Sequence, residues 1–495
     1  MKKIVLFISL PLLILVAAAL APYWVSSKVE EHFQVRAKNL QLQLLKQHGV
    51  SFEVVRYQRG YLASIADTRF TFDPQAAALL STSSPSLIMQ PVSVVLRHQI
   101  SHGPWINYQF SQETMSKVVT TVVPGDEQQT TLGFYFGDQA ALEMTTWLEW
   151  SGVIKSEGSM PAYSGRDHTG QYDFQWGGLH FEFEGDWIAM RGKGRFNTPR
   201  FELSNAAHGV TVGGFSGDFS SFISPQGLLL GDGEFLLNIF KVRAESRNGE
   251  PQEVVLRDAK IAYSAFQREQ VVDVMQQFGF RLLQVNEQWF RNGALHLELS
   301  SIDVIALQSM QQRYEQMTKT ELADTELLQQ VWFQEMQRLL PKLLEQAPVI
   351  HISKAEVITA AGMMNARLKL AINDGLPISA SIELPAGLVA LLPLIEIELD
   401  IKLPESIIEQ QARKVVREKI VEQLQETEQT MTPEVLVQQT KRAAEQMLAQ
   451  FEIQNILRRE SGSFRIALRY HNGRLHLNGV PADNFLNMLP PLKES

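Results

Sequence analysis

The sequence predicts an α+β fold: a sheet-dominated, antiparallel, β-rich domain with segregated amphipathic helices, preceded by one transmembrane helix. Three observations predict it. Met1-Lys2-Lys3 is followed by 22 uncharged residues, Ile4 to Val25. From Ser51 to Ser301, apolar and polar residues alternate in short stretches, the period of two that half-buried strands require. Beyond residue 308, helical spacing takes over and a second β block interrupts it. The expected organisation is an anchor over 1–25, a juxtamembrane helix over 26–50, a β-rich region over 51–307, and a helical and β region over 308–495 that closes on a hairpin.

The apolar run matches the thickness of a bilayer, since about 20 helical residues rising ~1.5 Å each cross the hydrocarbon. Lys2 and Lys3 bias the amino end to the cytoplasm, so the chain from Ser26 onward is expected on the far side. A cleaved signal peptide is the competing reading, because Ala19-Leu20-Ala21 fits a small-x-small site. The length of the run and Pro22 after the cut weigh against it. Next, Val29, Phe33, Ala37, Leu40 and Leu44 make one helical stripe, and Gly49 stops it.

Within the β-rich region, Leu179, Phe181 and Phe183 alternate with His180, Glu182 and Glu184. The stretches 200–203, 210–212, 233–243 and 294–299 read similarly. Sixteen of the 31 glycines fall between Gly152 and Gly233, which reads as short strands punctuated by glycine turns. Residues 308–346 read as helical, with Pro341 kinking the end. In the second β block, Ile395, Ile397, Leu399, Ile401 and Leu403 alternate with charged residues. Ile408, Ala412, Val416, Ile420 and Leu424 then form the stripe of one amphipathic helix, 406–425. Thr432-Pro433-Glu434 starts another, 433–457, with an N-cap residue, a proline at the first helical position and an acid in the first turn. Asn472-Gly473 between alternating stretches is the strongest short hairpin signal.

Composition removes several functions. The net charge of −9, without a basic cluster, argues against nucleic-acid binding. With no cysteine, disulfides, thiol catalysis, iron–sulfur clusters and thiolate zinc sites are excluded. No His-Glu-x-x-His occurs, and His98 and His102, on a strand, would stand about 13 Å apart, too far to share an ion. Gly214-Phe215-Ser216-Gly217-Asp218 lacks the last glycine of a nucleophile elbow. No phosphate-loop spacing precedes a helix. The expectation is therefore no metal, no cofactor and no enzyme. An enzymatic reading would need His102 and Arg59 brought together beside a carboxylate.

What remains is apolar. Phe181, Phe183, Phe201, Phe215, Phe219 and Phe235 crowd the glycine-rich strands. They are either a buried face covered by the later amphipathic helices or the wall of an open groove for acyl chains, with phospholipid as the ligand expected beside a membrane. The alternative function is a scaffold that forms homodimers through the helices 406–425 and 433–457.

Three stretches carry a resemblance: Tyr57-Gln58-Arg59-Gly60-Tyr61-Leu62-Ala63-Ser64, Ser101-His102-Gly103-Pro104-Trp105, and Tyr470-His471-Asn472-Gly473-Arg474-Leu475-His476-Leu477-Asn478-Gly479. Behind a single amino-terminal span, they resemble the YdgA-like family of bacterial proteins, a domain of unknown function. That resemblance implies a single-pass anchor in the bacterial inner membrane, an amino terminus in the cytoplasm and a periplasmic bulk. It also implies a looser kinship with AsmA-like envelope proteins and a part in envelope maintenance. Its motif positions here are Tyr57, Arg59, Gly60, His102, Gly103, Pro104, Asn472 and Gly473. Each also has a structural reading: a strand end at Gly103-Pro104, and a turn at Arg59-Gly60 with the arginine stem packed on Tyr57.

Overall fold

The computed structural model describes residues 22–31, 33–34, 50–72, 92–103, 105–106, 109–110, 113–123, 136, 139–166, 170–186, 189–245, 251–316, 330–331, 334–335, 338–339, 342–372, 394–426 and 431–482. Among these, strand makes up 62% and helix 22%, so the fold is sheet-dominated as the alternation predicts, and every pairing cited below is antiparallel. Contacts divide the chain into two compact units: Met1–Phe235 with Gln308–Gln334, and Leu236–Leu307 with Glu335–Ser495.

In the first unit the strands Val50–Gln58, Ala63–Phe72, Val92–His102, Thr114–Val123, Glu143–Glu149 and Val153–Met160 pair in chain order. Leu179–Asp186 adds to Val153–Met160, and is followed by Arg191–Ser204 and Gly209–Ile223. The glycine-rich part departs from its expected form. Instead of short strands broken at glycines, Arg191–Ser204 and Gly209–Ile223 run for 14 and 15 residues. Glycines lie inside these strands and inside Val153–Met160 because a phenylalanine ring on the neighbouring strand occupies the space of their missing side chain. Gly158 stands opposite Phe181, Gly194 opposite Phe219, and Gly217 opposite Phe196. A Cβ on Gly158 would come within 2.2 Å of the Phe181 ring, and one on Gly194 within 2.6 Å of Phe219. The aromatic ring covers the backbone that glycine exposes and restores the packing a strand glycine forfeits.

No helix among the described residues is long and apolar enough to cross a membrane. The expected span lies outside the described residues as far as Ala21, as does most of the stripe that was to follow it; what is described is a helix over 22–31 and 33–34. Val25 and Val29 pack with Ala66 and Ile100, and Phe33 lies against Tyr57.

In the second unit, Pro251–Arg268, Val271–Val285, Gln288–Asp303, Val349–Thr359, Gly362–Ile372, Ile395–Pro404 and Ser463–His471 pair consecutively. Register makes one face apolar across all seven: Ile261, Phe278, Leu295, Ala355, Ala366, Ile401 and Ile466 form one row, and Ala265, Val274, Leu299, Ile350, Leu370, Ile397 and Tyr470 another. The opposite face is charged, with Glu298, His351, Lys369, Glu398 and Arg469 in one row. The apolar rows survive a bulge: Leu297 faces Ile352 while His296 faces Lys354, leaving Ser353 as the extra residue.

The helices Glu405–Glu426 and Pro433–Ile453 lie within a residue or four of their expected bounds. Thr432 caps with its backbone alone, its side chain making no cap hydrogen bond. Their stripes meet each other: Ala412, Val416, Ala444 and Leu448 close a dry cluster over Leu457 and Phe464, with Ile466 at its margin. The terminal hairpin forms as its turn predicts, Asn472 and Gly473 both taking positive φ (50° and 76°) between Ser463–His471 and Arg474–Leu477.

Candidate functional site

Two features of the first unit bring chemistry-bearing residues together: a polar seam beneath the helix that starts at residue 22, and the aromatic sheet face.

The seam gathers two of the motif stretches. The loop joining Val50–Gln58 to Ala63–Phe72 carries Arg59, whose Nε donates to Ser26 Oγ at 3.0 Å and whose Nη2 donates to the Tyr23 carbonyl at 3.0 Å. The guanidinium lies 4.5 Å over the Tyr23 ring and 3.7 Å from Glu30. Arg59 thus clasps the helix, with its guanidinium on Tyr23, 36 residues back in the chain. Gly60 is required by close approach, since a Cβ there would stand 2.0 Å from the Ala63 carbonyl oxygen. Its N–H donates to Ser64 Oγ at 3.1 Å.

Ser64 connects the two stretches. Its hydroxyl meets His102 Nε2 at 2.8 Å, and both side chains are fully enclosed. The His102 N–H donates to the Leu62 carbonyl, and the Gly103 N–H to the Met115 carbonyl. A Cβ at 103 would press within 2.7 Å of the Thr114 and Met115 carbonyls, so this position too needs glycine. Burial, reinforced by the Arg59 charge, lowers the His102 pKa to about 4. One turn of the pleat away, His98 bonds Thr68 through Nε2 and Thr120 through Nδ1, each at 2.8 Å. Burial likewise lowers it to about 4, the nearby Asp67 acting against the shift. Asp67 is held by Arg97 through two hydrogen bonds, 2.9 and 3.2 Å. Burial raises the Tyr57 phenol above its usual range.

Both imidazoles are therefore neutral at pH 7 and employed inside the protein. Ser64 and His102 have the spacing of a nucleophile and base, but His102 Nδ1 meets no hydrogen-bond partner among the described residues and neither side chain reaches solvent. Enclosed in this way, the pair fixes the loop. His98 and His102 take separate partners, and no group of metal-ligating side chains occurs among the described residues. The remaining motif residues lie elsewhere: Asn472 and Gly473 form the hairpin turn of the second unit, and Pro104 is outside the described residues.

Of the six phenylalanines expected to bind a ligand, five share a face. Register places Phe181, Phe183, Phe215 and Phe219 on one side with Phe196, and Phe235 joins them by its contact with Phe196 at 6.2 Å. Phe201 falls on the other side, opposite Val212 and edge-on to Phe174, because it is an odd number of residues from Phe196. None of the six is buried, and Phe183 and Phe215 are more than a third exposed. The stripes of the two amphipathic helices pack into a cluster of the second unit. The reverse side of these strands is charged, with Arg195 paired to Glu182 and Lys193 to Glu184.

Sequence reasoning missed the apolar face of the second unit, where a groove of about 400 Å³ opens between Phe278, Phe280, Leu295, Ala355, Met364 and Leu403. Its signal was present in the alternation of 294–299 and 395–403, but pairing those strands in register was needed to see one surface.

The chain belongs to a family described as a bacterial protein of unknown function (DUF945), whose profile matches residues 1–483. No curated protein and no solved structure matches it.

Proposed function

We propose that this chain is a non-enzymatic protein of the bacterial envelope, anchored in the inner membrane by its amino-terminal run, whose periplasmic sheet faces take up lipid or lipid-like chains. One observation carries the reading: the apolar face of the second unit continues across seven strands, and its helix pair packs at Phe464 and Ile466 on the last of them. Ile261, at the far end of the row, is 49% exposed, and Leu295 40%. Apolar surface of that extent on a soluble unit marks a binding surface. The groove at Phe278 and Leu295 has the size and lining suited to an acyl chain. The kinship with AsmA-like envelope proteins that the motifs suggest agrees with phospholipid as the ligand. The alternative, a scaffold dimerising through its two long helices, has less support because those stripes are occupied by each other.

The test is photocrosslinking of the full chain in phospholipid nanodiscs containing a phospholipid with a diazirine on its acyl chain. Adducts are expected on peptides bearing Phe278, Leu295 and Met364, and Leu295→Asp should reduce them several-fold. Adducts confined to residues 1–25 would refute the reading.

A further inference from the structure

The three most exposed aromatic side chains among the described residues are Tyr23 at 60%, Trp24 at 57% and Tyr61 at 50%. All three stand at one junction. Tyr23 and Trp24 open the helix that begins at residue 22, and Tyr61 sits two residues beyond Arg59, in the loop that clasps that helix. The loop is fixed at both ends, by the Gly60 N–H on Ser64 and by the Leu62 carbonyl on the His102 N–H at 2.8 Å. Tyr61 is thus presented on a rigid mount against the helix start.

Tyrosine and tryptophan, apolar rings with a polar tip, concentrate at the membrane–water boundary. The chain places that boundary here. Val25 and Ser26 are fully buried inside the unit, so the apolar run must have left the hydrocarbon by Pro22. The residues left to cross it, Ile4 to Ala21, would span about 27 Å as a helix, close to a hydrocarbon core. Tyr23 and Trp24 then stand at headgroup level.

We propose that the loop over residues 59–62 is a second contact with the phospholipid bilayer, with Tyr61 in the headgroup layer beside Tyr23 and Trp24. The first unit is then seated on the membrane surface, with Arg59 as the internal clasp that holds loop and helix to one depth. This rests on the anchored reading of residues 4–21.

The absence of cysteine makes the test direct. Single variants Trp24→Cys, Tyr61→Cys and Lys193→Cys of the full chain are labelled with bimane and reconstituted into phosphatidylcholine–phosphatidylglycerol vesicles. Some of the lipids carry a nitroxide near the headgroup. The labels at 24 and 61 should be quenched to within about twofold of each other, and the label at 193 left bright. Adding Arg59→Ala should cut the quenching at 61 at least twofold and spare that at 24. Quenching at 24 without quenching at 61 overturns the second contact and leaves the anchor standing. Quenching at neither overturns both, and equal quenching at 193, or indifference to Arg59→Ala, overturns the clasped seat.

Discussion

Each unit lays helix on sheet, and the two contacts are built from opposite materials. In the second unit Ala412, Val416, Ala444 and Leu448 close on Leu457 and Phe464 in a mainly apolar cluster, with Thr440 buried on the same helix face and the Arg459 guanidinium 4.8 Å over the Phe464 ring at its edge. In the first, Val25 and Val29 contribute apolar area, but the strands beneath carry Ser64, Thr68, His98, His102, Ser116 and Thr120, five of the six essentially fully buried. The dry contact is held by area removed from water, which is non-directional and tolerant of small shifts. The wet one is held by hydrogen-bonded pairing, which is directional and fixes the geometry more narrowly. A helix that must keep one orientation gains from the second kind, and one that only has to cover a sheet margin needs only the first.

Acid is the strongest way to break the comparison. His98 and His102 have folded pKa values of about 4 against an ordinary 6.5. Between those values the unfolded chain binds more protons than the native one, so stability falls as pH drops from 6.5 to 4 and is level below. The ceiling is about 3 kcal/mol per imidazole, or roughly twice that for both. Hydrogen exchange at pH 4 should show Ala63–Phe72 losing protection relative to pH 7 while Ser463–His471 keeps it. Equal loss in both units would erase the distinction.

Phe464→Ala tests the dry side. The side chain is fully buried, and its removal should cost about 3–5 kcal/mol by denaturant unfolding of the second unit. It should do so equally at pH 7 and pH 5, and a pH-dependent loss would mean the cluster is not dry.

Ser64→Ala probes the wet side at neutral pH. It strands His102 Nε2 and the Gly60 N–H, for about 1–3 kcal/mol. Trypsin should then cut after Arg59 faster than in the parent. An unchanged rate would show that the loop is held without this hydroxyl. Arg195→Ala, which removes an exposed pair with Glu182, should leave the thermal unfolding midpoint where it is in the parent and sets the floor.

Period and turn chemistry made much of this legible. The strand Ile395–Pro404, the Thr432-Pro433 helix start and the Asn472-Gly473 hairpin form where residue type alone indicates. Three things were hidden. Strand interiors around Gly158, Gly192 and Gly194 read as turns, since glycine's freedom is visible in sequence and the ring that fills its place lies on another strand. The Ser353 bulge shifts the phase of Val349–Thr359, so strict alternation puts Lys354 on the wrong face. The motifs of the seam named Arg59 and His102 but gave no hint of their partners. Tyr23 and Ser26 are 33 to 36 residues away, and Ser64, inside the quoted stretch, reads as an ordinary strand serine until the fold sets it against His102.

The opposed glycines and phenylalanines also constrain how this family can vary. Gly158 with Phe181, Phe196 with Gly217, Gly194 with Phe219 and, in the second unit, Phe280 with Gly293 are directly facing partners on adjacent strands. A larger residue at any of these glycines collides with a ring unless that ring shrinks in the same lineage. Each couple should therefore drift as one character split between two strands, and an exchange of its members, Gly158→Phe with Phe181→Gly, should be better tolerated than either change alone. Across homologues these couples would be inherited together or lost together.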